Sequence, residues 1–138
     1  MNHVLNMLGI AKKAGLLAVG GEAATVAARN GKAKLVITAT DASEGSVRRA
    51  RTSAEMNGVI YMAVPFTKFE IGSITGRGSP GTAAFLDAGL AAGFVKKLSE
   101  TNAETAAKHG EAIRMLERKA EARKKAQTVK RSKGGKKQ

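Results

Sequence analysis

The chain begins with apolar residues at helical spacing. Val4, Leu8 and Ala11 fall on one face of a helix that the pattern predicts over residues 2–14. Gly15 follows two lysines, which is typical of a helix C terminus because cations favour the negative end of the helix dipole. The sequence therefore predicts an amphipathic first helix that packs on a core.

Downstream of this helix, apolar runs alternate with amphipathic segments. The run AKLVITA at 33–39 is continuously apolar, as is typical of a strand covered on both faces. The predicted elements after residue 14 are an extended segment (16–19), a helix (22–30), a strand (33–39), a helix capped by Ser43, a strand (59–64), a short helix opened at Thr67, a strand (82–86) and a helix (87–98). This alternation predicts an α/β fold in which one sheet lies between layers of helices.

Local capping signals mark the starts of two of these helices. The Ser43 hydroxyl is suited to accept a bond from the first turn of the third helix. Thr67 and Glu70 form a T-x-x-E capping box at the fourth. The positions expected to be buried in the third helix are Val47, Ala50, Ala54 and Met56.

The chain after residue 100 has a different character. Thr101 and Glu104 form a second T-x-x-E box, which predicts that a further helix begins there. The large apolar residues of that helix are Ile113, Met115 and Leu116. Because they are so few, most of the helix is expected to be solvated. We predict a domain at 1–100, a basic helical extension at 101–127 and a disordered cationic tail at 128–138.

Charge adds a prediction about partners. The 138 residues carry 24 Lys and Arg against 11 Asp and Glu, a net charge of +13. The first 100 residues hold 12 cations against 7 anions, whereas residues 101–138 hold 12 against 4. Such an excess favours polyanions as partners, because each neutralised phosphate releases a condensed counterion.

Composition limits the class of protein further. Aromatic residues make up only 4%, so the core is expected to consist of Val, Ile, Leu, Met and Ala. The absence of cysteine excludes disulfides and thiol nucleophiles. No apolar run approaches the roughly 20 residues that span a bilayer, and Lys12 and Lys13 interrupt the N-terminal apolar stretch. We expect a soluble, cytoplasmic protein.

The loop GRGSPG at 76–81 matches the pattern G-x-G-x-x-G of dinucleotide-binding loops. That function requires a strand before the loop and a helix after it, because the pyrophosphate binds at the helix N terminus. Here a predicted helix precedes the loop, a predicted strand follows it, and Pro80 lacks a backbone donor. Neither a bound nucleotide nor any other cofactor is expected.

Catalytic and metal-binding patterns are equally weak. His3 and His109 lie in different predicted segments, and neither has a second histidine nearby. Asp41 follows a buried strand, but its position before Ser43 favours a role in a turn or at a helix start. We expect no enzyme activity, no metal and no small-molecule substrate.

The Gly20-Gly21-Glu22 turn has two interpretations from its residues alone. Two glycines let a bulky partner approach the backbone, and free N–H groups follow at the helix start. A plain tight turn requires the same residues. The turn therefore remains open between a binding role and a structural one.

Three phrases of the sequence resemble a known family. They are LGIAKKAGLLAVGGEA at 8–23, AKLVITATDAS at 33–43 and FTKFEIGSITGRG at 66–78. In this order and spacing they resemble the bacterial YlxQ-type proteins of the ribosomal L7Ae/L30e superfamily. The resemblance implies a three-layer α/β/α sandwich. It also implies binding to structured RNA, in many members a kink-turn, which is a helix bent at tandem sheared G·A pairs.

In that family a G-x-N-E-x-x-K motif at the start of the second helix contacts the G·A pairs. The positions that the resemblance assigns to it here are Gly20, Gly21, Glu22, Ala23 and Val26. The glycine agrees with the motif and the other signature positions differ. Glu22 accepts hydrogen bonds but does not donate them when ionised, and Val26 offers no cation to a phosphate. Each lost base contact is expected to weaken binding by roughly 1–3 kcal/mol.

The family's second contact is a loop before the last strand that covers a flipped-out nucleotide. The corresponding residues here are Gly76, Arg77, Gly78 and Ser79, with Lys68 aligned to a basic position on the same side. The glycines permit close approach, and Arg77 and Ser79 offer donors to phosphate or ribose. We expect RNA contact at this loop.

Two main hypotheses result. The first is a non-enzymatic, ribosomal-type RNA-binding protein that acts with the ribosome or in translation. The second is a protein-interaction module that kept the fold and lost specific kink-turn recognition. A weaker third is a recognition domain related to those fused to RNA methyltransferases, although no methyltransferase domain follows here.

Overall fold

The computed structural model describes residues 2–101 and 114–122 of the chain. Its elements are α1 (Asn2–Lys13), β1 (Leu17–Val19), α2 (Gly21–Arg29), β2 (Leu35–Thr38), α3 (Glu44–Met56), β3 (Ile60–Ala63), α4 (Lys68–Thr75), β4 (Thr82–Phe85) and α5 (Ala88–Thr101). Residues 114–122 are also helical. Most predicted boundaries within the first hundred residues agree to within two residues.

The four strands form one sheet in the order β1-β4-β2-β3. β2 pairs in parallel with β3, and β4 runs antiparallel to both β1 and β2. Phe85 of β4 is in register with Leu17 on one side and Leu35 on the other. The segment that the sequence predicts only as extended is therefore a paired edge strand. The central strands β2 and β4 are buried along their whole length, as the continuous apolar run at 33–39 predicts.

Helices cover both faces of the sheet, so the fold is the expected three-layer α/β/α sandwich. α1, α4 and α5 pack on one face, where α1 contacts both other helices. α2 and α3 pack against each other on the opposite face. Helices that are distant in sequence therefore share a face, since α1 and α5 lie at the two ends of this part of the chain.

The core on the α1/α4/α5 face contains the largest buried side chains. Phe66, Phe85 and Phe94 are fully buried there, and the Phe85 and Phe94 rings lie 5.0 Å apart between centroids. The expectation of a core without aromatic residues is therefore wrong, because three of the four phenylalanines lie inside. Gly9 lets α1 approach α4 closely, since a Cβ there would lie 3.0 Å from Cγ1 of Ile74.

The core on the α2/α3 face consists mainly of alanine. Its buried residues are Ala24, Ala27, Ala28, Ala33, Val36, Ala50, Ala54 and Ala84. Ala50 and Ala54 occupy the buried face of α3 as predicted, and Val47 is half-buried. Met56 was predicted to be buried and is 80% exposed, because the end of α3 projects its side chain away from the sheet.

The capping interactions predicted at the starts of α3 and α4 are present. Ser43 Oγ accepts a hydrogen bond from Ser46 N at 3.1 Å, at the start of α3. At the start of α4, Thr67 Oγ1 accepts from Glu70 N at 3.1 Å, and Thr67 N donates to Glu70 Oε1 at 2.9 Å. These reciprocal bonds satisfy donors that the helix itself leaves unpaired.

The region after residue 98 differs from the prediction in two respects. α5 continues through Thr101, past its predicted end at Leu98, and Thr101 is the last described residue of this part of the chain. Glu104 and Ile113 lie outside the described residues. Leu116 is fully buried in the core of the α1/α4/α5 face, whereas Met115 and most of its described neighbours are exposed. The described helix at 114–122 is thus mostly exposed, and one leucine attaches it to the core.

None of the described helices has both the length and the apolar character needed to cross a membrane.

Candidate nucleic-acid interface

One edge of the sheet brings four connections together. Because β1, β2 and β3 run parallel to one another and β4 runs antiparallel, the C-terminal ends of three strands meet the beginning of the fourth. The turns that lead into α2, α3 and α4 therefore lie at the same edge as the loop at 76–81. The two segments that the sequence predicts as RNA contacts, 20–26 and 76–79, are 50 residues apart in the chain and belong to this edge.

The turn before α2 is held to the start of β4. Gly20 N donates to Thr82 O at 2.8 Å, and Gly20 O accepts from Ala24 N at 3.0 Å. Gly20 has a φ of 110°, which L side chains rarely adopt, and no described side chain caps the helix. The N–H groups of the first turn are consequently directed toward an exposed surface, where Gly21, Glu22 and Ala23 are all exposed.

The loop at 76–81 is folded back over α4. Gly76 ends α4 with a left-handed conformation, at a φ of 75°. A Cβ at the buried Gly72 would overlap the carbonyl oxygens of Arg77 and Gly78, so the loop backbone lies directly against the helix. Arg77, Gly78 and Ser79 are exposed. Close packing therefore positions the loop backbone and leaves these three residues facing solvent.

Lys68 and Asp41 connect this loop to the neighbouring turns. Asp41 Oδ1 accepts a hydrogen bond from Lys68 N at 2.8 Å. The predicted role of Asp41 at a helix start is confirmed, but the helix is α4 and not the adjacent α3. The half-buried Lys68 side chain passes Gly81, where a Cβ would lie 3.7 Å from Lys68 Cδ.

A cleft of about 600 Å³ lies between α2 and α3 and reaches this edge of the sheet. The residues that line it are Gly21, Glu22, Ala24, Thr25, Val26, Arg29, Val36, Ser46, Arg49, Ala50, Ser53, Gly81 and Thr82. Three predicted site residues, Gly21, Glu22 and Val26, belong to this lining. Gly20 adjoins it through its bond to Thr82.

The other predicted site residues are not part of the cleft lining. Ala23 is exposed beside it on the first turn of α2. Lys68, Gly76, Arg77, Gly78 and Ser79 lie on the α4 and loop side of the same edge, and only Gly81 of the glycine-rich loop reaches the cleft. The predicted set therefore divides into a group at the α2 start and a group at the loop.

Sequence reasoning missed the basic and hydroxyl side chains of the cleft. Arg29 follows Thr25 by one helical turn on α2, and Ser46, Arg49 and Ser53 share one face of α3. An adjoining cavity of about 540 Å³ continues along the same two helices and adds Arg48. The spacing within each helix was visible in the sequence, but nothing there indicated that α2 and α3 are neighbours.

Acidic groups are sparse in this region. Glu22 is the only carboxylate among the residues that line the two cavities. Within residues 2–101 and 114–122, no group of three or more His, Cys, Asp or Glu side chains is placed to hold a metal ion. His3 is exposed on α1, on the opposite face of the sheet, and His109 lies outside the described residues. The chemistry that the cleft offers is hydrogen-bond donation with positive charge.

Comparison with known proteins gives matches to a family and to solved structures. Residues 2–89 match the model of the ribosomal protein L7Ae/L30e/S12e/Gadd45 family. A Bacillus halodurans protein described as having unknown function is 23% identical, with a TM-score of 0.63 over 70% of this chain and 96% of that chain. The 15.5kD RNA binding protein of Giardia lamblia is 21% identical, with a TM-score of 0.56 over 70% of this chain and 84% of that chain. These two structures are similar to this chain in fold. No curated protein matches the sequence.

Proposed function

This chain belongs to the ribosomal protein L7Ae/L30e/S12e/Gadd45 family, and we propose that it is a non-enzymatic RNA-binding protein of the ribosomal type. The proposed partner is a structured RNA, such as ribosomal RNA or a kink-turn, in the cytoplasm and in the context of translation. Within the family, the proposed relationship is to the YlxQ-type proteins. The Giardia lamblia protein of similar fold is an RNA binding protein by name.

The observation that carries this proposal is the meeting of two distant segments at one sheet edge. The bond from Gly20 N to Thr82 O ties the start of α2 to the residue that follows the glycine-rich loop and begins β4. An RNA helix placed against this edge would meet the exposed first turn of α2 on one side and Arg77 and Ser79 on the other. Both offer donors to phosphate and ribose oxygens.

The proposed RNA class depends on three residues of α2. Glu22 and Ala23 replace the amide and carboxylate of the family motif, and Val26 replaces its lysine. Fewer base contacts imply weaker discrimination between a kink-turn and other bent or bulged helices. We therefore propose recognition of RNA shape at this edge, with kink-turns as one member of the class.

Titration of the full chain with a kink-turn RNA and with a plain duplex of equal length tests the proposal. Tighter binding to the kink-turn, still measurable at raised salt, is the expected result. Equal affinities that fall together as salt rises would contradict structural recognition, because charge-driven binding depends on the phosphates alone.

Val26→Lys provides a sharper test at the site. Val26 is 41% exposed on α2, and lysine is a better helix former than valine, so the variant is expected to fold. Its new cation is expected to strengthen kink-turn binding and to raise the salt dependence by about one ion. Ile10→Lys is the matched control, because Ile10 is 60% exposed on α1 and lies on the opposite face of the sheet. Equal gains in the two variants would contradict a site at α2.

The second candidate function is a protein-interaction module. Exposed Val26 and Ala23 give the start of α2 an apolar surface that a protein partner could cover. Under this alternative, Val26→Lys does not improve RNA affinity and weakens a protein complex. The same variant therefore separates the two functions.

A further inference from the structure

The two cavities between α2 and α3 form one continuous groove. They share Thr25, Arg29, Arg49 and Ser53, and Arg48 lines the outer one. We name this feature the arginine groove, after Arg29, Arg48 and Arg49. We infer that the arginine groove binds the phosphate backbone of the RNA, as a contact region additional to the sheet edge. The inference rests on the RNA-binding function proposed above and extends the interface across the α2/α3 face.

The dimensions of the groove suit an extended ligand. It runs from Gly21 at the start of α2 to Asn57 after the end of α3. The 13 residues of α3 correspond to a length of about 20 Å at 1.5 Å per residue. A trough of that length accommodates several consecutive phosphates of one strand. Cavities of about 600 and 540 Å³, placed end to end, differ from a single enclosed pocket for a small molecule.

The three arginines are available to a ligand. All three are exposed, and no carboxylate of the described residues forms an ion pair with any of them. The single ion pair found within the described residues joins Lys97 to Glu100 on α5. Ion pairs of the described residues therefore do not occupy these guanidinium groups, and such groups are well suited to bidentate bonds with phosphate oxygens.

The other groups on the groove walls fit the same ligand. Thr52 and Ser53 offer hydroxyl groups next to the arginines, and hydroxyls commonly bond to phosphate oxygens. No aromatic residue lines either cavity, and the half-buried Tyr61 lies outside them. The groove therefore lacks a platform for base stacking and favours the backbone over the bases.

Position distinguishes RNA from an acidic protein as the occupant. The inner end of the groove includes Gly21 and Glu22 at the start of α2, which also belong to the proposed RNA contact at the sheet edge. An RNA duplex held at that edge extends beyond it, because the duplex is longer than the first turn of α2 that it contacts. The arginine groove continues directly from the edge, so the flanking backbone of the same RNA reaches the three arginines.

A triple variant, Arg29→Gln with Arg48→Gln and Arg49→Gln, tests the inference. The matched control removes the same charge from α1 and α5 on the opposite face, through Lys12→Gln, Lys13→Gln and Lys96→Gln. The probe is a kink-turn RNA with a flanking duplex, titrated against each full-length protein at several salt concentrations. Urea unfolding of each variant, and the single variant Arg49→Gln, separate loss of contact from loss of fold.

The groove variant is expected to bind the probe roughly tenfold more weakly or worse. The number of counterions released on binding, taken from the slope of log affinity against log salt, should fall by about two to three in the groove variant and by less than one in the control. Equal losses in the two variants would overturn the inference, because they would show only an effect of net charge. An RNA affinity equal to that of the wild type in the groove variant would also overturn the inference. It would do so even if an acidic protein were found to require the three arginines. Failure of the wild-type protein to bind the probe would instead overturn the proposed RNA-binding function, and the inference with it.

Discussion

The two faces of the sheet differ in what fills them. On the α1/α4/α5 face, three phenylalanines and several large aliphatic residues form a thick core, which also takes in Leu116 from the helix at 114–122. On the α2/α3 face, the buried layer is seven alanines and Val36. Large side chains interdigitate and fill the first face, whereas the second face presents a cleft between α2 and α3.

This difference separates stability from binding. Burial of large apolar side chains contributes most of the favourable free energy of folding, so the α1/α4/α5 face carries most of the stability. The α2/α3 face buries less and instead presents the cleft, the arginine groove and the start of α2. Substitutions in the first face are expected to change stability, and substitutions in the second to change binding.

The largest expected effect is that of Phe94→Ala. Phe94 is fully buried against Phe85, and its truncation is expected to lower the free energy of unfolding by about 3–5 kcal/mol. Ala54→Gly is the comparison on the other face, where a fully buried helical alanine loses one methyl group and the expected loss of helix propensity and methyl burial is about 1–2 kcal/mol. Urea denaturation of both variants measures the contrast, and similar losses would contradict the division between the two faces.

Gly72→Ala is expected to have the next largest effect. Its new Cβ would overlap the backbone of Arg77 and Gly78, so the glycine-rich loop must move away from α4, at a cost of about 1–3 kcal/mol. RNA affinity should fall as well if the loop is a contact. The control is Gly45→Ala in α3, where a Cβ meets nothing within 4 Å and helix propensity predicts a gain of up to about 1 kcal/mol. Thermal or urea unfolding measures both changes in the free energy of unfolding. Changes of the same sign in the two variants would contradict the packing of the loop against α4.

Tyr61→Phe tests the polar part of the α2/α3 face. Tyr61 Oη and Thr38 Oγ1 are 2.7 Å apart, and Thr38 is fully buried. Removing the phenol hydroxyl leaves the buried threonine without this partner, which is expected to cost about 1 kcal/mol. The double variant Thr38→Val/Tyr61→Phe replaces both polar groups and should recover part of that loss in urea unfolding. A double variant less stable than the single one would show that the bond is not the source of the effect.

The smallest expected effect on stability is that of Arg49→Gln. Because Arg49 is exposed and has no ion-pair partner among the described residues, the free energy of unfolding should stay within about 0.5 kcal/mol of wild type. Arg51→Gln is the comparison, since its guanidinium carbon lies 5.7 Å from the centroid of the Tyr61 ring and about 0.5–1 kcal/mol is expected to be lost. A clear destabilisation by Arg49→Gln in urea unfolding would show that the groove contributes to the fold.

The sequence predicted the fold because local signals agree with one another. Helical and continuous apolar patterns located the elements, and Ser43 and the Thr67–Glu70 box marked two helix starts that the structure confirms. Three phrases in register predicted the α/β/α sandwich and the family. The elements and their caps depend on near neighbours in the chain, where spacing determines which side chains meet, whereas the sandwich and the family were implied by the resemblance of the three phrases.

Tertiary structure decided which surfaces lie side by side. The pairing of β1 with β4 brings Gly20 to Thr82, and the packing of α2 on α3 places Arg29 in the same groove as Arg49. Met56 was predicted to be buried and is exposed, whereas Leu116 is buried in a helix that was predicted to be mostly solvated. Burial depends on what lies opposite a residue and not on its spacing alone. The residues of the arginine groove were therefore present in the sequence, but only contacts between distant segments make them a single surface.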